Sequence, residues 1–143
     1  MEVRFYEQAD DVLLKFAVIL PRYEGKWVLC KHRERNTFEF PGGHRDPGED
    51  ILTTARRELA EETGALEFTL SPVCVYSVTG KNRVNQTGEE TFGMLYAADV
   101  KRFAAELHSE MEYIRLFDAL PQAWTYPEIQ PELLREYLRR TAE

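Results

Sequence analysis

Between residues 12 and 20 apolar side chains occupy both parities of the chain. Val12, Leu14, Phe16, Val18 and Leu20 fall on one face of an extended segment, and Leu13, Ala17 and Ile19 on the other. A strand that is apolar on both faces belongs in the interior of a sheet, covered above and below. A turn over residues 21–25 then leads into a second predicted strand, residues 26–31, paired with the first as a hairpin. Further strands are predicted at residues 73–78, 91–99 and 113–117. Asp50 is placed to cap a helix over residues 51–63, and Gly64 to end it as a left-handed residue. Leu52, Ala55 and Leu59 supply that helix with an apolar stripe. A second helix is predicted from about Pro131, with a stripe of Leu134, Tyr137 and Leu138 and with Arg139 and Arg140 at its negative end. Strands interrupted by one helix and closed by another predict an α+β fold, a mixed β-sheet sandwiched between α-helices. Residues 79–90 are polar, contain two glycines and are expected to form a mobile loop, either a plain connection or a lid over a substrate.

Composition narrows this picture. With 143 residues, 43% apolar and 30% charged, the chain predicts one globular domain over residues 1–143. Lys and Arg number 18 against 25 Asp and Glu, a net charge of -7, which argues against a nucleic-acid duplex or an anionic membrane as partner. An anionic substrate would have to be held by local cations. The apolar stretch at residues 12–20 is short and contains Lys15, so neither a signal peptide nor a membrane span is predicted. Cys30 and Cys74 each lie in a predicted strand without metal-binding spacing, so both are expected as reduced core thiols in a cytoplasmic protein. Oligomeric state is left open by all of this.

The chemistry concentrates in one stretch, Pro41-Gly42-Gly43-His44-Arg45-Asp46-Pro47-Gly48-Glu49, followed by the predicted helix carrying Arg57, Glu58, Glu61 and Glu62. At about 100° per residue the three glutamates share a wedge of about 100°, beside the apolar stripe rather than opposite it. Near a sheet, with little water between them, they would repel unless a cation intervened. An all-oxygen cluster suits Mg2+ or Mn2+, which completes its shell with water and substrate phosphate oxygens, better than zinc. Gly42, Gly43 and Gly48 would let the backbone approach a metal or a phosphate closely.

At Gly43, Glu49, Arg57, Glu58, Leu59, Glu61, Glu62 and Gly64, with their intervening spacings, the chain resembles the Nudix hydrolase family at every specified position of its box. Ala65 departs from it, standing where the family usually has a larger aliphatic residue. The run Phe38-Glu39-Phe40-Pro41-Gly42-Gly43 and the basic segment Lys31-His32-Arg33 are similar to the MutT-like, nucleoside triphosphatase branch. That resemblance implies a Nudix fold and Mg2+-dependent attack of activated water on a nucleoside triphosphate, including oxidised forms such as 8-oxo-dGTP, giving the monophosphate and pyrophosphate. It implies Glu58, Glu61, Glu62 and the Gly43 carbonyl as metal ligands, with Arg57 holding a neighbouring glutamate in place and Glu49 and Gly64 organising the loop and helix. Glu61 is the first choice as general base, and Glu110 and Glu112 are alternatives, with Glu89 and Glu90 behind them. Arg33, Phe40 and Tyr126 are expected substrate contacts. The implied partner is a small nucleotide. The resemblance also admits another diphosphate-linked substrate, such as a nucleotide sugar or a capped RNA 5′ end, or a non-catalytic module that senses a nucleotide.

Overall fold

The computed structural model describes residues 1–105 and 111–142. In chain order the elements are β1 (Glu2–Tyr6), a 3-10 turn (Asp11–Leu13), β2 (Leu14–Tyr23), β3 (Lys26–His32), β4 (Phe38–Glu39), β5 (Gly42–His44), α1 (Ile51–Thr63), β6 (Ala65–Thr79), β7 (Thr91–Phe103), β8 (Met111–Phe117) and α2 (Gln130–Thr141).

β2 is interior, as its two-sided apolar pattern requires. It lies parallel to β7 on one side and antiparallel to β3 and β5 on the other. The β7 side extends through β6 to β1, and β8 pairs with the far side of β3. The register shifts between Leu14 and Phe16, so Leu14 packs on the same face as Ala17 and Ile19 despite its opposite parity. The strand also starts two residues later than expected. Val12 and Leu13 belong to the 3-10 turn and are exposed, so the apolar alternation overran the strand. At the other end Pro21 remains in β2, and the hairpin closes on Glu24 and Gly25, both at positive φ. Two consecutive left-handed residues form the tight turn whose twist matches that of the flanking strands.

Each face of the sheet carries one helix. α1 closes a cluster of Ile51, Ala55 and Leu59 with Ala17, Ile19, Ala65 and Val100. α2 closes the opposite cluster, Leu133 and Leu134 with Leu20, Leu29, Phe40 and Leu95. Asp50 caps α1 by accepting the Thr53 N–H at 2.7 Å, and Gly64 ends it at φ 77°. The stripes differ from expectation. Leu52 is 41% exposed while Ile51 and Thr54 are buried, and in α2 Leu133 takes the inward position expected of Leu138, which faces solvent. A stripe drawn from spacing alone fixes a helix face only to within about one position, and the sheet chooses the final rotation. Ala65 is buried against α1, where its small side chain fits the closely packed helix exit. Among the described residues no helix is long and apolar enough to cross a membrane.

Residues 79–90 form a loop with hydrogen bonds of its own. The Gly80 N–H donates to the Gly88 carbonyl at 3.0 Å. The buried Asn85 side chain donates to the Glu89 carbonyl at 2.7 Å and accepts the Gly88 N–H at 3.1 Å.

Candidate active site

α1 and the loop before it are joined by Arg57. Its Nε and one terminal nitrogen donate to the two oxygens of Glu49 at 2.7 and 2.9 Å, a bidentate pair. The other terminal nitrogen donates to Glu58 at 2.7 Å and lies 3.5 Å from Glu61. The same side chain also reaches the His44 carbonyl at 3.2 Å and Asp46 at 3.3 Å. With its donors directed at these acceptors, Arg57 is spent on holding the site together. Glu49 in turn accepts the Asp46 N–H at 3.0 Å and the Thr54 hydroxyl at 2.9 Å. These donors, Arg57 first, hold the Glu49 carboxyl down at about 2.

The three helix glutamates have different surroundings. Glu58 is half-buried, and burial pushes its carboxyl up against the opposing pull of Arg57. It lies so close to Gly43 that a Cβ on that residue would be 2.5 Å from the Glu58 carboxyl carbon. Glu62 accepts the Gly42 N–H at 2.7 Å. Glu61 is exposed. Among the described residues no three His, Cys, Asp or Glu side chains are already gathered closely enough to hold a metal ion. The donor chemistry nevertheless fits a hard divalent cation: oxygen ligands from one helix face, and a glycine cradle that any side chain would fill.

Beside this loop opens a cavity of about 300 Å³. Gly42, Gly43, His44 and Glu62 line one end together with their cross-strand neighbours Phe16 and Val18, and Tyr76, Val78, Val84 and Tyr126 supply apolar lining beyond them. Its wall also carries Arg35 and Glu39, paired at 3.1 Å. Glu39 is 7% exposed, and burial pushes its carboxyl up despite Arg35.

Of the expected substrate contacts, Tyr126 lines this cavity. Phe40 also borders it, but its ring is buried in the α2-side core, edge-on to Trp27 and tilted against Trp124. Arg33 is exposed and does not line the cavity; Arg35, two residues on, does. Among the alternative bases, Glu112 pairs with Lys31 at 2.8 Å. Glu90 accepts from Ser77 and Tyr6, and Glu89 is exposed. None of these three lines the cavity, and Glu110 lies outside the described residues. Sequence reasoning passed over Arg35, Glu39, Asn82 and Gln130, all of which line it. One clue was present: Glu39 alternates with Phe38 and Phe40, so a strand there sends a carboxylate to the face opposite two aromatic rings.

A mixed sheet between two helices, with a glycine loop feeding a glutamate-rich helix beside a partly open cavity, defines the α+β class to which the chain belongs. Residues 13–137 match the NUDIX domain family, and the chain belongs to it as a Nudix diphosphate hydrolase. YtkD of Bacillus subtilis (strain 168), a candidate 8-oxo-dGTP diphosphatase, is 32% identical over 127 residues, covering 85% of this chain and 73% of its own. An RNA pyrophosphohydrolase of Caulobacter vibrioides is 43% identical over 56 residues, 37% of this chain and 33% of its own. The crystal structure of a variant of the Bacillus subtilis pyrophosphohydrolase BsRppH has a TM-score of 0.77 at 25% identity, covering 98% of this chain and 92% of that one.

Proposed function

We propose that this protein hydrolyses a nucleoside triphosphate, oxidised purine forms such as 8-oxo-dGTP included, to the monophosphate and pyrophosphate with Mg2+. The observation that carries this reading is a cavity lined by Gly42, Gly43 and Glu62 and, beyond them, by apolar side chains with Tyr126, Arg35 and Glu39. Such a space suits a molecule with phosphates at one end and a flat heteroaromatic ring at the other. Similarity to YtkD over most of both chains supports it.

Glu58, Glu61, Glu62 and the Gly43 carbonyl would hold the divalent cation, which supplies charge neutralisation for the diphosphate and lowers the pKa of attacking water. Mn2+ would fit the same oxygen set. Arg57 keeps Glu58 and Glu49 in place rather than touching substrate. Glu61, the most exposed of the three helix glutamates, would take the proton of the attacking water. Tyr126 stacks on the base. Cys30 and Cys74, buried and unbridged, suit a reducing, cytoplasmic setting.

A second reading, removal of pyrophosphate from an RNA 5′ end, is favoured by the likeness to the Caulobacter enzyme and to BsRppH. One experiment separates the two. The protein with Mg2+ is given a panel of nucleoside triphosphates, 8-oxo-dGTP, a nucleotide sugar and a 5′-triphosphorylated RNA, and products are followed by phosphorus NMR. Monophosphate and pyrophosphate from the free nucleotides are expected. Turnover of the RNA alone selects the second reading, and release of orthophosphate alone overturns the reaction. Two monophosphates from the sugar, with triphosphates inert, assign a different diphosphate substrate. Binding without turnover makes the chain a sensor.

A further inference from the structure

Gln130, the first residue of α2, is 4% exposed. Its side-chain amide bonds both ways to the main chain of Phe40: the Phe40 N–H donates to Oε1 at 2.7 Å, and Nε2 donates to the Phe40 carbonyl at 3.3 Å. These bonds continue a ladder between β4 and the segment before α2. There the Phe38 N–H donates to the Ala123 carbonyl at 2.8 Å, the Thr125 N–H to the Phe38 carbonyl at 2.9 Å, and the hydroxyls of Thr37 and Thr125 meet at 2.6 Å. Beyond Thr125 the main chain leaves the ladder, since Pro127 has no N–H and the N–H groups of Ile129 and Gln130 turn back to the Tyr126 carbonyl. The Gln130 amide takes the place of the missing peptide group and satisfies the Phe40 main chain.

Phe40 is joined through Pro41, whose φ is fixed by its ring, to Gly42 and Gly43. Downstream, the Pro41 carbonyl accepts the Ile19 N–H at 3.0 Å and the Gly42 N–H donates to Glu62 at 2.7 Å. Gln130 supplies the anchor at the upstream end. A buried amide is costly unless both its ends are bonded, whereas a methionine would fill the same volume without that cost. Packing therefore does not account for glutamine here, and the two bonds do. We propose that Gln130 is a positioning residue: from the opposite face of the sheet it sets the Gly42–Gly43 backbone against Glu58 and Glu62. This rests on the reading of that loop as part of the diphosphate site.

The test compares Gln130→Met, which keeps the volume and loses both bonds, with Gln130→Glu. An ionised glutamate accepts the Phe40 N–H but offers nothing to the Phe40 carbonyl, whereas a protonated one has a donor and an acceptor and restores both bonds. Gln130→Met is expected to lower kcat roughly tenfold and to weaken Mn2+ binding without nucleotide, read by water proton relaxation, by a similar factor. Nucleotide KM should move less than about twofold. Measured as a ratio to the unaltered protein at each pH, Gln130→Glu should match the methionine variant at high pH and recover as pH falls. Unchanged kcat and Mn2+ affinity, with only a lower Tm, would leave Gln130 a packing residue and overturn the proposal. A rise in KM alone, or a changed base preference, would overturn it in favour of substrate contact. Should the methionine variant not fold, the pH course of Gln130→Glu decides alone, and a flat ratio rejects the role. An unaltered protein that binds no Mn2+ and cleaves no diphosphate removes the site reading and this inference together; an active one with an indifferent Gln130→Met removes only the inference.

Discussion

The two ends of the cavity are built in different ways. The glycine-loop end comes from one run of chain, residues 42–64: Gly42, Gly43, His44 and Glu62 line it, and the capped helix and the Arg57 network stand behind them. The interior end takes Arg35 and Glu39 from around β4, Tyr76 from β6, Asn82 from the loop after it and Tyr126 from just before α2. The first end is polar, ionic and local. The second is largely apolar, with the part-buried Arg35–Glu39 ion pair in its wall, and exists only once the sheet has formed. Reaction chemistry should therefore respond to changes in a short segment, while substrate choice should respond to residues scattered along the chain.

The largest effect is expected at the local end. Glu61→Gln should lower kcat by about 10²-fold or more with the circular dichroism spectrum unchanged, as loss of a metal ligand or general base requires. Unchanged turnover at saturating Mg2+ would remove Glu61 from that role. Arg57→Ala should cost roughly tenfold in kcat, because Glu58 and Glu49 lose the cation that orients them. A change in KM alone would instead mean that Arg57 binds phosphate.

At the interior end Tyr126→Ala should raise nucleotide KM by about three- to tenfold with kcat nearly constant, the pattern of lost stacking and uniform binding. A fall in kcat of the same size would blur the division between the two ends. The smallest effect is on stability against pH. The folded Glu49 carboxyl titrates near 2 against an ordinary value of 4.5, so the Glu49–Arg57 contribution is fully present above the ordinary value. It is lost as pH falls toward 2. Urea midpoints followed from about pH 6 downward should show Glu49→Gln with a flatter acid limb than the unaltered protein. Parallel limbs would show that the ion pair does not stabilise the fold.

Local features were legible in the sequence because their determinants lie within a few residues of each other. Asp50 and Gly64 bracket α1 as expected, since a cap and a left-handed stop act over a single turn. The interior position of β2 was readable from its double-faced apolar pattern. The rotation of each helix was not: Leu52 and Leu138 face solvent because the sheet surface beneath selects which neighbours turn inward. β1 escaped notice because Glu2–Tyr6 mixes charge and apolar residues, and it forms by pairing with distant β6. Arg33 was expected through the resemblance of the basic segment Lys31-His32-Arg33, whereas Arg35, paired with Glu39 across a turn, is the arginine that lines the cavity.

By itself the sequence determined the family, the box and the order of its parts, because the spacing of glycine, arginine and glutamate on one loop and helix dictates which of them can meet. Only the tertiary structure decided what surrounds the box: a cavity walled from several strands, a buried Glu39 beside Arg35, and the Gln130 amide bonded to Phe40 from ninety positions away in the chain. Contacts of that range leave no periodic trace in a single sequence, since they depend on how the strands pair and on which side chain is left where the backbone ladder ends.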